Sequence, residues 1–531
     1  MTRFWRGLCA GGATGLLSAF SYPDPGIWPL AIIAYIPLLW WLRVDRPSPR
    51  QAFIGGWVAG ALIHGIGHKF LAFTMQEMSH MPPWLAWIVV VAYSLAMGAH
   101  QALFAAVVAF ICREHGRDGR FVAVAVLAIM AVEFAVPWQF RWFLGNALYR
   151  VPVLLQVADL GAVYVVSGMC VAVSAALVVV VTADSARKRA QAAFGVVALL
   201  AVWIGYGVFA IAAVDAVEAQ RTVRVGIVQP NPSLKEKTSS LPGVRTRMQD
   251  RAEALTRSLA ADDVDMYIWP EGSLPYYFVH REVPPHLPAD RKSRAPPMLK
   301  KTTIRAQRFA RGQGKPLLLG SLRRDDAAWS GRATNSAIVL DGDKPPRFYD
   351  KRKLVAFGEY MPGRELMPSL STAVRGVGDL EWGELPSILP IAGAQVGVNI
   401  CYEALFSGFM RTHTAAADFL VNLTDDLWFG PVDAPQLHLM VQMPRAIELR
   451  RPFIRATATG ISAHVDAAGR IVGETAVWKT ATHVADVKVA EIDSPFRVVG
   501  LWPMRLVTAL VVWLLVVAWR RRRTETLPPS H

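Results

Sequence analysis

The chain has 531 residues, 53% of them hydrophobic and only 18% charged, with a mean hydropathy of +0.30. That balance excludes an ordinary soluble enzyme, and four cysteines in such a length exclude a disulfide-stapled scaffold. A net charge of +15 would point to nucleic acid in a soluble chain, but here the cations gain meaning only from their place between apolar runs, and no nucleic-acid partner is expected.

Seven apolar runs precede residue 215, near 7–22, 27–42, 52–75, 84–112, 121–140, 160–183 and 193–214. An eighth, LVTALVVWLLVVAW, covers 506–519. A bilayer crossing needs about 20 apolar residues, so each is a candidate span. Cations gather on alternate connections: Arg3 and Arg6; Arg43, Arg46 and Arg50; Arg113, Arg117 and Arg120; Arg187, Lys188 and Arg189; and Arg520 to Arg523. The positive-inside rule then puts both termini in the cytoplasm. An odd number of spans precedes the long hydrophilic segment, which therefore lies outside. The N-terminal run joins this topology and is not read as a cleaved signal peptide. The expected organisation is a membrane domain over 1–215 with about seven helices, an extracytoplasmic domain over 221–495, a span over 498–520 and a cytoplasmic tail over 521–531.

Several residues inside the spans call for comment. His64, His68 and Lys69 fall in the third run. Glu133 falls in the fifth, where an ionisable group is costly, and Lys69 is its candidate partner. Trp84, Trp138, Trp142 and Trp502 suit an interfacial belt, with packing inside the bundle as the alternative.

The outer segment reads as strands at 223–229, 265–270, 316–322, 334–340, 395–401, 418–423 and 454–465. Helical patterns fall near 244–260, 297–312 and 433–450, and DAAGRIV at 466–472 reads as a hairpin turn. Strands and helices alternate, and strands such as VGVNIC are apolar on both faces. An α/β domain with covered sheets is therefore expected. His413 and His438 stand apart from any metal-ligand spacing and read as surface or packing residues.

Cys9 and Cys112 lie near span ends and Cys170 inside a span, so Cys401 is the one cysteine of the outer segment and has no disulfide partner there. It is either an inert core residue or a reactive thiol. Three stretches place a charge beside a strand end: YIWPEGSLPY with Glu271, YDKRKLVAFGEYMP with Lys351 and Glu359, and NICYEALF with Cys401 and Glu403. Each alone reads as a solvated loop. Together they would make coherent chemistry. Glu271 could take the thiol proton and return it to a leaving group. Lys351 could stabilise the oxyanion with a backbone N–H near Tyr402, and Glu359 and Glu403 could hold the lysine.

These residues resemble the Glu-Lys-Cys triad of the carbon-nitrogen hydrolase, or nitrilase, superfamily. With eight spans, the whole chain resembles the apolipoprotein N-acyltransferase family. The likeness runs through VRVGIVQPNPSLK, WPEGSLP, TNSAIVL, YDKRKLVAFGEYMP, GVNICYEALF, NLTDDLWFG and QMPRAIELRRPFIRATATGISAHVDAAGRIV, and through VEFAVPWQF and LLQVADLGAVYVVSG in the membrane part. It implies an αββα sandwich beside the membrane helices, with Glu271, Lys351 and Cys401 catalytic and Glu359, Tyr402 and Glu403 supporting. Lys353 rivals Lys351, and the family pattern Tyr-x-Lys-x-x-Leu selects Lys351 because Tyr349 and Leu354 then fall in place. The implied reaction takes an acyl chain from a phospholipid onto Cys401 as a thioester. It then passes the chain to the α-amine of the diacylglyceryl cysteine of a lipoprotein, on the periplasmic side of a bacterial inner membrane, with no cofactor and no metal.

The sequence departs from the family pattern at three places. Glu236 or Lys237 stands near a usual tryptophan, Ala356 replaces a usual proline, and Asp425 stands where Asn is usual. The segment 278–297, with Arg281, Arg291, Lys292 and Arg294, reads as a loop over the site whose cations could meet lipid phosphates, or as a solvated linker. The rival readings are a membrane-tethered amidase, a related acyltransferase with another acceptor, and a non-catalytic membrane scaffold.

Overall fold

The computed structural model of the chain describes residues 3–23, 25–112, 118–239, 241–280, 297–325, 332–363, 365–366, 378–430 and 434–526. Arg113, Arg117 and the loop cations Arg281, Arg291, Lys292 and Arg294 lie outside the described residues. The chain divides into two compact units. One comprises Met1–Ala72, Pro83–Asp215 and Ser494–His531, and the other Phe73–Pro82 and Ala216–Asp493.

The first unit is helical. Among the described residues, four of its helical stretches are long and apolar enough to cross a membrane: Pro83–Cys112, Val163–Thr182, Ala186–Asp215 and Trp502–Arg523. Glycine lets its helices touch. An added Cβ at Gly15 of the helix Arg3–Ser21 would fall 2.8 Å from the Ala59 carbonyl oxygen. One at Gly60 of Pro49–Gly67 would fall 2.7 Å from the Gly98 Cα. In a membrane such small-residue seams replace the hydrophobic drive between helices with close backbone packing.

Other apolar runs are divided or shortened. The run near 27–42 forms two helices, Pro29–Ile33 and Ile36–Val44, because Pro37 has no N–H to continue the ladder. The run 52–75 ends as a helix at Gly67. A separate helix, Phe70–Ser79, follows, and most of it belongs to the second unit. The fifth run stops at Ala135, ahead of Pro137. Glu133 is buried, and its carboxylate is hydrogen-bonded by Ser167 and by the Leu144 N–H, the latter to Oε1 at 3.2 Å. Trp138 and Trp142 are not belt residues. They are buried, stacked on His100 and His68 with ring centroids 3.6 and 3.9 Å apart, whereas Trp84 and Trp502 are exposed.

The second unit holds two sheets. Its strands are β1 (Arg221–Gln229), β2 (Met266–Trp269), β3 (Phe278–His280), β4 (Leu317–Asp325), β5 (Ala333–Leu340), β6 (Arg347–Asp350), β7 (Leu380–Glu381), β8 (Ile388–Ile391), β9 (Ala394–Ile400), β10 (Phe419–Thr424), β11 (Phe453–Thr457), β12 (Ala463–Val465), β13 (Ile471–Glu474) and β14 (Ala481–Val489). One sheet runs β14-β1-β2-β4-β5-β6, with β3 beside β4 and β7 beside β5. The other runs β13-β12-β11-β10-β9-β8.

The period of two along each strand sorts side chains into layers. Val225 and Ile227 of β1, Met266 and Ile268 of β2 and Leu318 of β4 meet Val398 and Ile400 of β9 and Val421 of β10 in one core. The alternate residues Tyr267, Trp269, Leu317 and Leu319 pack outward against Ala252 of the helix Pro242–Ser258 and Ala306 and Phe309 of the helix Pro297–Gln313. Both faces of these strands are buried, which explains their unbroken apolar runs.

Two expected elements are each divided. The strand over 454–465 becomes β11 and β12, joined by a turn at Gly460, where the Asp426 carboxylate lies against the position of any Cβ. The helix over 433–450 becomes Ala434–Gln442 and Pro444–Leu449, split at Pro444. The expected hairpin at 466–472 joins β12 to β13. Its Asp466 carboxylate accepts from the N–H groups of Ala468 and Arg470 at 3.0 and 2.9 Å.

Candidate active site

β2 leads through Pro270 directly to Glu271, and the backbone there presses on β4. The Gly320 N–H donates to the Pro270 carbonyl at 3.2 Å, and the Ser273 N–H to the Gly320 carbonyl at 2.8 Å. A Cβ at residue 320 would fall 2.8 Å from the Pro270 oxygen, so only glycine lets the glutamate turn sit this close to the sheet.

Lys351 follows β6, and its N–H donates to the Asn335 carbonyl on β5 at 2.7 Å. Its side chain is 1% exposed. The ammonium donates to Glu359 Oε1 at 2.8 Å and stands 3.7 Å from Glu271 Oε1. Asn335 completes the cluster, with its Nδ2 donating to Glu271 Oε1 at 2.6 Å and to Glu359 Oε1 at 3.0 Å. The other Glu359 oxygen accepts from the Val355 N–H at 2.8 Å, which fixes the loop carrying it. Lys353 goes elsewhere: its ammonium lies 4.7 Å from the Phe406 ring centroid and 5.6 Å from that of Phe409.

Cys401 caps β9 in the left-handed region, with φ 50. That conformation is unusual for a residue with a Cβ, and neighbours must hold it. Its carbonyl accepts from Asn422 Nδ2 at 3.2 Å and Gln442 Nε2 at 3.4 Å. Gln442 is itself fixed: its Nε2 donates to His438 Nε2 at 2.8 Å, and its oxygen accepts from Arg455 Nε at 2.9 Å. Arg455 donates through Nη2 to both Asp426 oxygens at 2.9 and 2.8 Å, and His438 Nδ1 meets the same carboxylate at 2.8 Å. His438 is thus a member of a buried network rather than an isolated residue.

Glu403 does not grip the lysine side chain. Its carboxylate accepts from Tyr349 Oη, from the N–H groups of Arg352 and Lys353, and from the Ile400 N–H, at distances from 2.7 to 3.1 Å. It ties the segment bearing Lys351 to the end of β9, which carries the cysteine. Tyr402 is buried, with its ring edge-on to Phe406 at 4.9 Å.

The charges in the cluster interact strongly. Burial pushes the Glu271 carboxyl up to about 7; Lys351 works against this, and Glu359 adds to it. Lys351 is held well above the usual lysine range although burial opposes its charge, because Glu359, Glu271 and Cys401 all face it. Burial raises the Cys401 thiol, Glu271 raises it further, and Lys351 lowers it. The resting state this favours is a protonated thiol beside a charged ammonium and a carboxylate able to change state near neutrality. Such a set can carry nucleophilic attack on a carbonyl with proton transfer.

The sequence reading named Glu271, Lys351 and Cys401, and these interact electrostatically in one cluster with Glu359. It missed Asn335, whose signal was a polar residue inside the apolar strand TNSAIVL. It also missed Asn422, Gln442, Asp426 and Arg455, which leave no mark in a single sequence except polarity within apolar surroundings.

A family model described as Apolipoprotein N-acyltransferase N-terminal domain matches residues 14–177, and one described as Carbon-nitrogen hydrolase matches residues 224–494. The chain is similar to a protein of Geobacter metallireducens named Apolipoprotein N-acyltransferase, 30% identical over 92% of this chain and 90% of that one. Proteins of the same name from Bdellovibrio bacteriovorus and Azotobacter vinelandii are each 28% identical, over 86% and 99% of this chain and 84% and 97% of theirs. Likeness over nearly the whole length, across the apolar helices as well as the α/β unit, makes the chain a membrane protein that belongs to the apolipoprotein N-acyltransferase family.

Proposed function

We propose that the protein transfers an acyl chain from a phospholipid to the N-terminal cysteine amine of diacylglyceryl lipoproteins, through a thioester on Cys401. In the first step Glu271 takes the thiol proton and the Cys401 sulfur attacks the ester carbonyl. Lys351 faces the negative charge that develops on the carbonyl oxygen. The ester C–O bond then breaks, and Glu271 returns the proton to the departing lysophospholipid oxygen. In the second step the lipoprotein amine attacks the thioester and Glu271 takes its proton; the C–S bond breaks as the amide forms, and Glu271 returns the proton to the Cys401 sulfur. No cofactor enters either step. Glu359 and Asn335 hold the lysine and the base in register, and Glu403 and Tyr402 support the cysteine turn.

The observation that carries this reading is the partly buried cluster of Glu271, Lys351 and Cys401 in a chain of this family. Both proposed substrates stay in a bilayer, which accounts for the apolar helices on either side of the catalytic segment. The pattern of cations between apolar runs supports eight spans with the α/β unit outside the cytoplasm, and the family resemblance implies that this is the periplasmic face of a bacterial inner membrane.

The test is the intact mass of the purified protein after incubation with phospholipid and no acceptor. A mass increase of one acyl chain, removed by hydroxylamine and absent in Cys401→Ser, is the expected result. An unmodified Cys401 in folded protein, with release of ammonia from small amides, would overturn the transferase reading in favour of a tethered amidase.

A further inference from the structure

Two residues that set this sequence apart from the family pattern meet beside the base. Lys237 lies on the short helix Leu234–Thr238, and its ammonium is ion-paired with the Asp425 carboxylate at the end of β10. Both side chains are largely buried, 8% and 2% exposed. The same ammonium lies 3.1 Å from where a Cβ on Gly272 would stand, at the residue next to Glu271. It also lies 5.8 Å from the Trp428 ring centroid. Asp425 anchors the following turn as well, since its Oδ1 accepts from the Leu427 N–H at 3.1 Å.

The helix is fastened so as to deliver that lysine. Ser233 caps it, with the Glu236 N–H donating to Ser233 Oγ at 3.2 Å and the Ser233 N–H to Glu236 Oε2 at 2.8 Å. Arg251 binds Glu236 Oε1 and the carbonyls of Pro230 and Asn231, each at 2.7 Å. Glu236 and Lys237 thus have separate tasks: the glutamate fastens the helix and the lysine reaches the site.

We propose that the Lys237–Asp425 pair is a positioning device of the acyl-transfer centre, locking the helix Leu234–Thr238 against the Glu271 turn and fixing the field in which Glu271 takes and returns its proton. The proposal rests on Glu271 acting as the base. Among the described residues, the groups acting on Glu271 are Lys351 and Glu359 from the segment after β6, Asn335 from β5, Cys401 just after β9 and Asp425 just after β10, with Lys237 alongside at Gly272. Asp425 is one of the charges that raise Glu271, and that carboxylate is ion-paired with Lys237.

The signs separate this role from a structural one. Lys237→Met leaves the Asp425 charge uncompensated, so Glu271 ionises later and the pH midpoint of Cys401 acylation moves up. Asp425→Asn leaves the ammonium uncompensated, and the midpoint moves down. Each shift is expected to be about half a pH unit or more. The double variant Lys237→Met/Asp425→Asn carries neither charge and should return close to the wild-type midpoint even if its rate is lower. A pair that served packing alone would lower the rate in all three variants without moving midpoints in opposite directions, and that result would overturn the proposal. Alkylation of Cys401 by iodoacetamide, mapped by peptide mass across the same pH range, provides a second profile that needs no lipid. Absence of a lipid adduct in wild-type protein would count against the acyltransferase reading. Alkylation midpoints that are equal in wild type and both single variants would count against the role of the pair.

Discussion

Tyr349 Oη lies 2.8 Å from each oxygen of the Glu403 carboxylate, joining the strand before Lys351 to the turn after Cys401. The carboxylate is fully buried, and its remaining partners are backbone N–H groups. Tyr349→Phe removes one donor and leaves the other three. Stability should fall by about 1–2 kcal/mol, read as a lower denaturation midpoint with or without lipid. Acylation should slow more than the melting shift explains, because the register between Lys351 and Cys401 loosens. Unchanged acylation in a destabilised protein would show that Glu403 serves folding alone.

Lys351→Met should abolish measurable acylation, a loss of about 100-fold or more, since the oxyanion loses its facing charge and the two partly buried carboxylates Glu271 and Glu359 lose theirs. Lys353→Met should retain most activity, because that ammonium rests over the Phe406 and Phe409 rings. Single-turnover acylation of the two variants, compared at one pH, checks the assignment. Equal losses would remove the distinction between the lysines.

The base sets the pH dependence. Glu271 must be ionised to accept the thiol proton, and its carboxyl titrates at about 7, so acylation should rise through neutrality and then level off. The stability sign is opposite to that of an ion-paired surface carboxylate. The folded value is raised above the ordinary 4.5, so the contribution of Glu271 to stability is present below about 4.5 and is lost as pH rises through about 7. Glu271→Gln should therefore gain stability relative to wild type across that window while losing acylation. Chemical denaturation at pH 4.5 and pH 8 tests the sign.

Asn335 keeps two carboxylates close together by donating to both. Asn335→Leu should raise the acylation midpoint, since Glu271 loses a hydrogen bond that favours its charged form, and should slow the reaction roughly tenfold to a hundredfold. An Asn335→Leu profile that superimposes on wild type would assign the amide to packing.

The network beneath the cysteine makes a different prediction. Burial works against the Asp426 charge, yet Arg455 and His438 hold the carboxyl below the ordinary range. Arg455→Met strips the guanidinium from a buried carboxylate, and such losses cost about 3–5 kcal/mol. The variant should unfold early, and its remaining folded fraction should acylate slowly because Gln442 no longer holds the Cys401 carbonyl in place. Normal stability in Arg455→Met would mean that the network does not bear on the cysteine turn.

The sequence by itself determined what local chemistry writes into neighbouring residues. Apolar runs marked the helical unit, and strands apolar on both faces, alternating with helices, marked the α/β unit. The order of WPEGSLP, YDKRKLVAFGEYMP and GVNICYEALF named a carboxylate, an ammonium and a thiol. Strand ends were legible because Pro, Gly and charge interrupt the ladder there. The strands β3, β6, β7, β8, β13 and β14 were not, since pairing with a neighbour defines them more than propensity does. The family resemblance picked Lys351 over Lys353, and the tertiary structure supplies the physical reason: the two differ by two positions in one short segment, and their surroundings come from β5 and from the segment after Cys401. Only the tertiary structure found Asn335 at the centre, Glu403 on the backbone instead of the lysine, and Lys237 against Asp425. Apart from the Ile400 N–H to Glu403, these contacts join residues 24 to 188 positions apart, and hydrogen bonds and desolvation act over a few ångströms of space whatever the separation along the chain.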